Sequence, residues 1–203
     1  MAERVVFCWS GFPQYAARLV GAFGKAHPEA NVRVVATRPR VPVEGMERLC
    51  GCPVAWLDSP NQSVDESGLL SRRTVVFATG WHVPAFMRLC AAARKAGGRA
   101  ICMVDNNFVE ETDLWSRCCA WVKSVRFRLF KRRLFDGFMV PGKSGRKLLK
   151  SWGVVDELIQ EGMYSADAAL FHDGGPLALR PKRMIYVGQF SERKNVARLV
   201  EAF

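Results

Sequence analysis

Short runs of apolar residues alternate with stretches of helical apolar spacing along most of this 203-residue chain. The runs have the length and composition of buried strands, and glycine or proline separates them from the helical stretches. The predicted strands are Val5–Trp9, Val32–Thr37, Val54–Leu57, Thr74–Thr79, Ala100–Val104 and Gly137–Val140. Alternation at this spacing predicts an α/β fold with a Rossmann-like, mostly parallel sheet flanked by helices.

Helical spacing of apolar residues predicts four helices in the same part of the chain. The first is Tyr15–Lys25. The second begins near Pro84, because proline is tolerated at a first helical position, and it ends at the glycine pair 97–98. A basic segment at 114–134 and a helix from about 144 to 152 complete the set.

The last part of the chain predicts the start of another α/β unit. Met184–Val187 has the pattern of a short strand, Gly188 follows it, and Asn195–Phe203 has helical spacing. No second strand follows, whereas a parallel strand is normally buried among neighbours. We therefore expect one domain at 1–178 and the incomplete beginning of a second domain at 179–203.

The composition is that of a globular protein with an excess of positive charge. Apolar residues make up 49% of the chain, and no apolar run approaches the roughly 18 residues that span a bilayer. Seven cysteines lack the paired C-x-x-C spacing of a zinc site, so we interpret them as reduced thiols in a cytoplasmic protein without a bound metal. The net charge of +11 predicts an anionic partner: nucleotide phosphates, membrane lipid or nucleic acid.

Candidate binding residues follow the predicted strands, because ligands of parallel α/β sheets bind at the carboxyl ends of strands. His82 could bind substrate or act as a general acid or base, or it could cap the helix that begins near Pro84. Asp105 could accept hydrogen bonds from sugar hydroxyls or belong to a polar turn. Gly11 could let a ligand approach the backbone or serve only as a turn residue.

The letters of one segment match the sequence pattern of a phosphate-binding loop. Gly137–Ser144 reads G-F-M-V-P-G-K-S and satisfies the P-loop pattern G-x-x-x-x-G-K-[ST]. A P-loop follows its strand, whereas here Phe138–Val140 is itself the predicted strand. Pro141 also removes an amide donor that would contact phosphate. We therefore interpret the segment as a strand–turn–helix junction, and a P-loop phosphotransferase is the weakest functional hypothesis.

The segment 114–134 carries seven arginine and lysine residues, several aromatic rings and no acidic residue. Its apolar residues recur at helical spacing. Two interpretations remain open: a surface helix whose apolar stripe faces the sheet, or an amphipathic helix on an anionic bilayer surface. Nucleic acid is a third possible partner for such a charge, but no recognisable nucleic-acid module accompanies it, so we expect none.

Several segments, in their order and spacing, resemble the N-terminal half of a family 4 glycosyltransferase of the GT-B fold. They are T-G-W-H-V-P at Thr79–Pro84, the strand ending in Asp105-Asn106, F-D-G-F-M-V-P-G at Phe135–Gly142, W-G-V at Trp152–Val154, G-M-Y-S-A-D…L-F at Gly162–Phe171 and V-G-Q-F-S-E-R-K-N at Val187–Asn195. The last of these is the most specific. The resemblance covers much of the chain.

The resemblance implies an enzyme that transfers a sugar from a nucleotide-sugar donor to a glycan or lipid-linked acceptor, without a metal or other cofactor. In such enzymes the N-terminal domain mainly holds the acceptor. We therefore expect Gly11 and Asp105 to bind the acceptor and His82 to be catalytic. The expected context is cell-envelope glycan synthesis in the cytoplasm, at the inner face of the membrane.

The resemblance also assigns donor-phosphate contacts to Gly188 and Lys194. Lys194 matches the lysine of the family's basic pair, which stabilises the departing nucleoside diphosphate, and Gln189 stands where the pair's arginine is common. The family's E-x₇-E motif would lie past Phe203, so we expect this chain alone to be inactive. The alternative is a non-catalytic, Rossmann-like module that binds a nucleotide or another anion.

Overall fold

The computed structural model describes residues 4–39, 44–65, 69–109, 113–165 and 194–202. The chain divides into two compact units, Met1–Asp167 and Ala168–Phe203. The predicted domain boundary at 178/179 and the predicted strand Met184–Val187 lie outside the described residues. The sheet and the candidate site therefore belong to the first unit.

The first unit is built on a seven-stranded sheet in which every described pairing is parallel. The strands are β1 Arg4–Trp9, β2 Asn31–Thr37, β3 Val54–Leu57, β4 Thr74–Thr79, β5 Arg99–Met103, β6 Gly137–Val140 and β7 Ile159–Glu161. Their order across the sheet is β3-β2-β1-β4-β5-β6-β7. The prediction of an α/β fold with a Rossmann-like parallel sheet is confirmed.

Helices connect the strands and cover the sheet. They are α1 Gln14–Ala26, α2 Met46–Cys50, α3 Pro84–Lys95, α4 Leu114–Arg126 and α5 Lys143–Ser151, with α6 Val196–Glu201 in the second unit. A π-helical turn, Phe127–Lys131, and a 3₁₀ turn, Arg132–Leu134, continue α4. The single helix predicted over 114–134 is thus wrong in detail, because the hydrogen-bonding pattern changes at Phe127.

The core lies in two layers, one on each face of the sheet. Alternation along β1 sends Val6 and Cys8 to a layer shared with α3 and α5, and sends Val5 and Phe7 to a layer shared with α1 and α2. Burial on both faces explains why the strands read as nearly continuous apolar runs. The pattern that predicted them is a direct consequence of this packing.

The apolar stripe of α4 does not face the sheet, so that part of the surface-helix interpretation is wrong. Only Ser124 is buried within α4, and Phe127 at its C-terminal end is 2% exposed. We define the α4 apolar surface as the six large apolar side chains that are exposed on α4 and the π turn. They are Leu114, Trp115, Trp121, Val122, Leu129 and Phe130.

The short edge strand β7 was not predicted. It has three residues, of which only Ile159 is buried, so it offers no alternating pattern to read. Arg146 of α5 holds it in place by donating hydrogen bonds to Glu161 at 2.7 Å, to the Ile159 carbonyl at 2.9 Å and to Asp156 at 2.8 Å. This anchor matters because the chain returns from β7 to the candidate site.

Candidate functional site

A cavity of about 260 Å³ opens at the carboxyl ends of β1, β4 and β5. The chain leaves β1 towards β2 and β3 on one side, and β4 resumes on the other side of β1. In open parallel sheets, ligands bind at such a switch point. The cavity is lined by Trp9, Ser10, Tyr15, Thr79, Gly80, His82, Met103, Asp105, Asn106, Met163 and Tyr164. We call it the switch-point cavity.

Hydrogen bonds fix the floor of the switch-point cavity. The Ser10 amide donates to the Thr79 hydroxyl at 2.9 Å, and this hydroxyl donates to the Cys8 carbonyl at 3.3 Å. The Gly80 amide donates to the Met103 carbonyl at 2.8 Å. The loops after three neighbouring strands are therefore tied together before any ligand binds.

His82, predicted to be catalytic, lines the switch-point cavity with an exposed side chain. Gly80 makes its position possible: a Cβ atom there would lie 2.9 Å from His82 Nδ1, and the backbone of Gly80 has a φ of +68°. The imidazole therefore occupies space that only glycine leaves open. The alternative role as a helix cap is wrong, because Val83 is the N-cap residue of α3 and no side chain caps that helix.

Asp105 also lines the cavity, together with two tyrosines that contact each other, Tyr15 and Tyr164. The rings of Tyr164 and Tyr15 meet edge to face, with 5.8 Å between their centroids. Burial raises the pKa of Tyr164, and the Asp105 carboxylate and the Tyr15 hydroxyl raise it further by charge and by hydrogen bonding. The Tyr164 phenol thus stays protonated and can donate a hydrogen bond to Asp105 or to a ligand.

Tyr164 reaches the cavity because the chain turns back after β7. The amides of Gly162 and Met163 donate to the Val140 carbonyl at 3.0 and 3.2 Å, and Met163 is buried. Sequence reasoning missed both Tyr164 and Tyr15 as site residues. The run at 162–171 resembled a family motif, but without β7 nothing indicated that Met163 and Tyr164 reach the cavity.

Gly11, predicted to bind the acceptor, does not line the switch-point cavity. It has a φ of +60°, and its amide donates to the Thr37 hydroxyl at 2.8 Å. Its observed position is that of a turn residue after β1, and its contact with an acceptor stays a prediction.

The predicted donor-phosphate residues belong to the second unit. Gly188 lies outside the described residues. Lys194 is exposed and lies two residues before α6, a helix of six residues. Their contact with donor phosphates stays a prediction.

The P-loop-like segment has the arrangement that the sequence predicted. Gly137 lies inside β6 rather than before it, and α5 begins at Lys143. Gly142 has an extended backbone with a φ of 177°, and Pro141 provides no amide. The interpretation as a strand–turn–helix junction is confirmed.

The cysteines and the other possible metal ligands form no second site among the described residues. The seven cysteines are free thiols, as expected. Within the described ranges, no group of three or more His, Cys, Asp or Glu could hold a metal ion. None of the helices described is long and apolar enough to cross a membrane.

Two comparisons of the sequence with known proteins found no relative. A scan against protein-family models found no matching family, and a search of curated proteins found no match. The likeness to glycosyltransferases therefore rests on the six quoted motifs and remains a hypothesis.

Proposed function

We propose that this chain is the acceptor-side part of a glycosyltransferase that moves a sugar from a nucleotide-sugar donor to an acceptor hydroxyl. One observation carries the proposal: His82 and Asp105, which follow different strands, line the same cavity at the switch point of a parallel sheet. A carboxylate, an imidazole and a protonated phenol suit the hydroxyl groups of a sugar. Cell-envelope glycan synthesis is the proposed context.

In the proposed sugar transfer, each of these residues has one role. As the acceptor oxygen forms its bond to the anomeric carbon, the bond from that carbon to the nucleoside diphosphate breaks, and the acceptor hydroxyl loses its proton. His82 accepts this proton, and Asp105 and Tyr164 orient neighbouring hydroxyls. The leaving diphosphate takes the electron pair, and Lys194 with the Gly188 backbone is proposed to stabilise its charge. No metal or other cofactor enters the proposal.

Activity should depend on His82 but not on a histidine elsewhere. We would supply a donor-domain polypeptide to the 203-residue chain and measure transfer from a panel of nucleotide sugars by mass spectrometry. General-base catalysis contributes about 10²–10⁴-fold, so His82→Ala should slow transfer by at least about 100-fold. His27→Ala is the matched control, since His27 is exposed and pairs with Glu29 away from the cavity.

Two outcomes would contradict this assignment. Equal rates for His82→Ala and His27→Ala would remove His82 from catalysis. Binding of nucleotide sugars without transfer to any acceptor would favour the non-catalytic binding module instead.

We also propose that the α4 apolar surface rests on an anionic bilayer at the cytoplasmic face of the membrane. Trp115 is 78% exposed and Trp121 is 67% exposed, on a segment with seven cations and no acidic residue. Aromatic rings suit the headgroup region, and each cation near the surface contributes about 1 kcal/mol. An acceptor carried by lipid would then be delivered next to the cavity.

Flotation with vesicles tests the membrane contact. The protein should float with vesicles containing phosphatidylserine at low salt, and the Trp115→Ser, Trp121→Ser double variant should lose at least about tenfold in partitioning. Val155→Ser is the control, because Val155 is exposed outside α4 and the π turn. Absence of flotation at low salt would contradict the proposal.

A further inference from the structure

A second cavity, of about 480 Å³, adjoins the switch-point cavity. His82 and Asn106 line both cavities, so the two spaces meet at these side chains. The second cavity is the larger, and its size lies within the range of about 300–1,000 Å³ found for small-molecule sites. We call it the basic cavity, because Lys123, Arg126 and Lys131 line it.

Helical spacing places these cations on one wall of the cavity. Residues four apart share a face of a helix, and Lys123, Phe127 and Lys131 have this spacing and all line the basic cavity. The Arg132 amide donates to the Phe127 carbonyl, five residues back, so a π turn follows α4 at this wall. Such turns recur at functional sites.

Arg128 fixes this wall against the end of α5. Its Nε atom donates to the Trp152 carbonyl at 2.8 Å, and its Nη2 atom donates to the Ser151 carbonyl at 3.1 Å. Those carbonyls end a helix, where a cation is favoured. These hydrogen bonds join the segment that carries the cations to the end of α5, where Trp152 also lines the cavity.

The cations of the basic cavity lack a carboxylate partner among the described residues. The described ion pairs join other cations: Arg38, Arg94, Arg146, Lys150 and His27. No Asp or Glu lines the basic cavity. Three positive charges that line one space without a counter-charge favour an anionic ligand such as a phosphate group.

An aromatic cluster forms the rest of the wall. The ring centroid of Trp81 lies 4.9 Å from that of Phe127 and 5.5 Å from that of Trp152, and Phe127 lies 5.3 Å from Trp152. Apolar walls lower the local dielectric constant, which strengthens charge pairing inside the cavity. They also provide a surface for the carbon atoms attached to the anion.

We propose that the basic cavity binds a phosphate monoester or diphosphate group of the acceptor, while the acceptor's reacting hydroxyl lies in the switch-point cavity at His82. This inference deepens the proposed function and rests on it, since it names the chemistry of the acceptor. Lys123, Arg126 and Lys131 bind the phosphate oxygens, and Trp81 and Trp152 contact the group that bears them. Asn106 and His82 lie where the two parts of the acceptor join.

Binding of simple phosphate esters to the 203-residue chain tests the site without any glycosyl transfer. Calorimetric titration would use phenyl phosphate as a soluble probe and dihexanoyl phosphatidic acid as a lipid probe. The double variant Arg126→Gln, Lys131→Gln removes two cavity cations. Each charge-assisted hydrogen bond contributes about 1.5–3 kcal/mol, so the Kd should rise at least about tenfold for both probes.

The matched control is Arg117→Gln, Arg133→Gln, which removes the same charge from exposed positions that do not line the cavity. Its Kd should change less than about twofold at the same salt concentration. Tighter binding of the lipid probe would indicate a lipid-linked acceptor, and tighter binding of phenyl phosphate a soluble one; either supports a phosphate site.

Equal loss of affinity in both double variants would overturn the proposal, because it would show attraction to the whole basic surface. Failure of the unaltered chain to bind either probe at millimolar concentration would overturn it as well. Neither result depends on catalysis. If phosphate binds as expected but His82→Ala leaves transfer unchanged, the proposed function fails and the phosphate site stands.

Discussion

Helices α3 and α4 have similar lengths and similar apolar patterns, yet they meet different surroundings. α3 buries Phe86, Leu89 and Cys90 against the sheet, whereas α4 buries only Ser124. The large side chains of α4, Trp115 and Trp121 among them, are exposed. Helical periodicity therefore predicts that a helix has an apolar face, but not what that face contacts.

The difference lies in which residues contact the core. Both helices connect neighbouring strands, α3 between β4 and β5 and α4 between β5 and β6. α3 covers the sheet with its own apolar face, whereas the contact of the α4 segment with that layer of the core is made by Phe127 at its C-terminal end. The remaining apolar side chains of α4 are left for a partner, which we propose is the bilayer.

The largest expected difference is in stability. Phe86→Ala, at a fully buried position, should lower the free energy of unfolding by about 3–5 kcal/mol. Trp121→Ala should change it by less than about 0.5 kcal/mol, because that ring is 67% exposed. Urea unfolding of the two variants measures both values. Similar losses in both would mean that α4 packs more closely than described.

A smaller difference between α3 and α4 is expected in how often each helix opens locally and exposes its amides to solvent. The amides of α4 should exchange with solvent at least about tenfold faster than those of α3, since few buried contacts hold α4. Hydrogen exchange read by mass spectrometry measures this. Adding anionic vesicles should slow exchange in α4 and leave α3 unchanged, and slowing in both helices alike would contradict a membrane contact through α4.

The smallest effect concerns how the two helices begin. The Asp113 carboxylate accepts a hydrogen bond from the Ser116 amide at 2.8 Å, whereas α3 begins at Pro84 without a side-chain cap. This hydrogen bond lowers the pKa of Asp113 below its ordinary value of 3.8. The cap therefore stabilises α4 above about pH 4 and loses this effect as the pH falls further.

Circular dichroism between pH 6 and pH 2 tests the cap. Asp113→Ala should lower the helical signal slightly at pH 6 and remove the part of the acid-induced loss that Asp113 causes. Asp113→Asn keeps a capping oxygen without a titrating group, so it should retain the signal. An unchanged acid titration in Asp113→Ala would show that this cap does not contribute.

The sheet was predictable because each of its six longer strands leaves a local trace. Burial on both faces makes Val5–Trp9 apolar along its whole length and leaves threonine only at the two ends of Thr74–Thr79, and glycine follows several of the strands. The strand β7 left no trace, because three residues held by Arg146 need no apolar pattern. Sequence patterns do not predict a strand that is held in place by a contact between residues distant in the chain.

The candidate site was likewise predictable only in part, namely where its residues follow the predicted strands. His82 and Asp105 were found because they directly follow strands, and topology brings such positions together. Tyr164 was missed because its path depends on β7, which leaves no sequence pattern. Helical spacing puts Lys123, Phe127 and Lys131 on one face, but it does not indicate that this face lies beside Trp81 and Trp152.

His82 lines both cavities, so its ring is the place where an occupant of one space would meet an occupant of the other. If a phosphate group in the basic cavity shifts the imidazole or changes its hydrogen bonding, it alters the free energy of filling the switch-point cavity. Thermodynamic reciprocity requires the effect to be equal in the other direction. An acceptor that fills both spaces would then bind more selectively than either of its halves, and Gly80, by making room for one ring, would be the source of that selectivity.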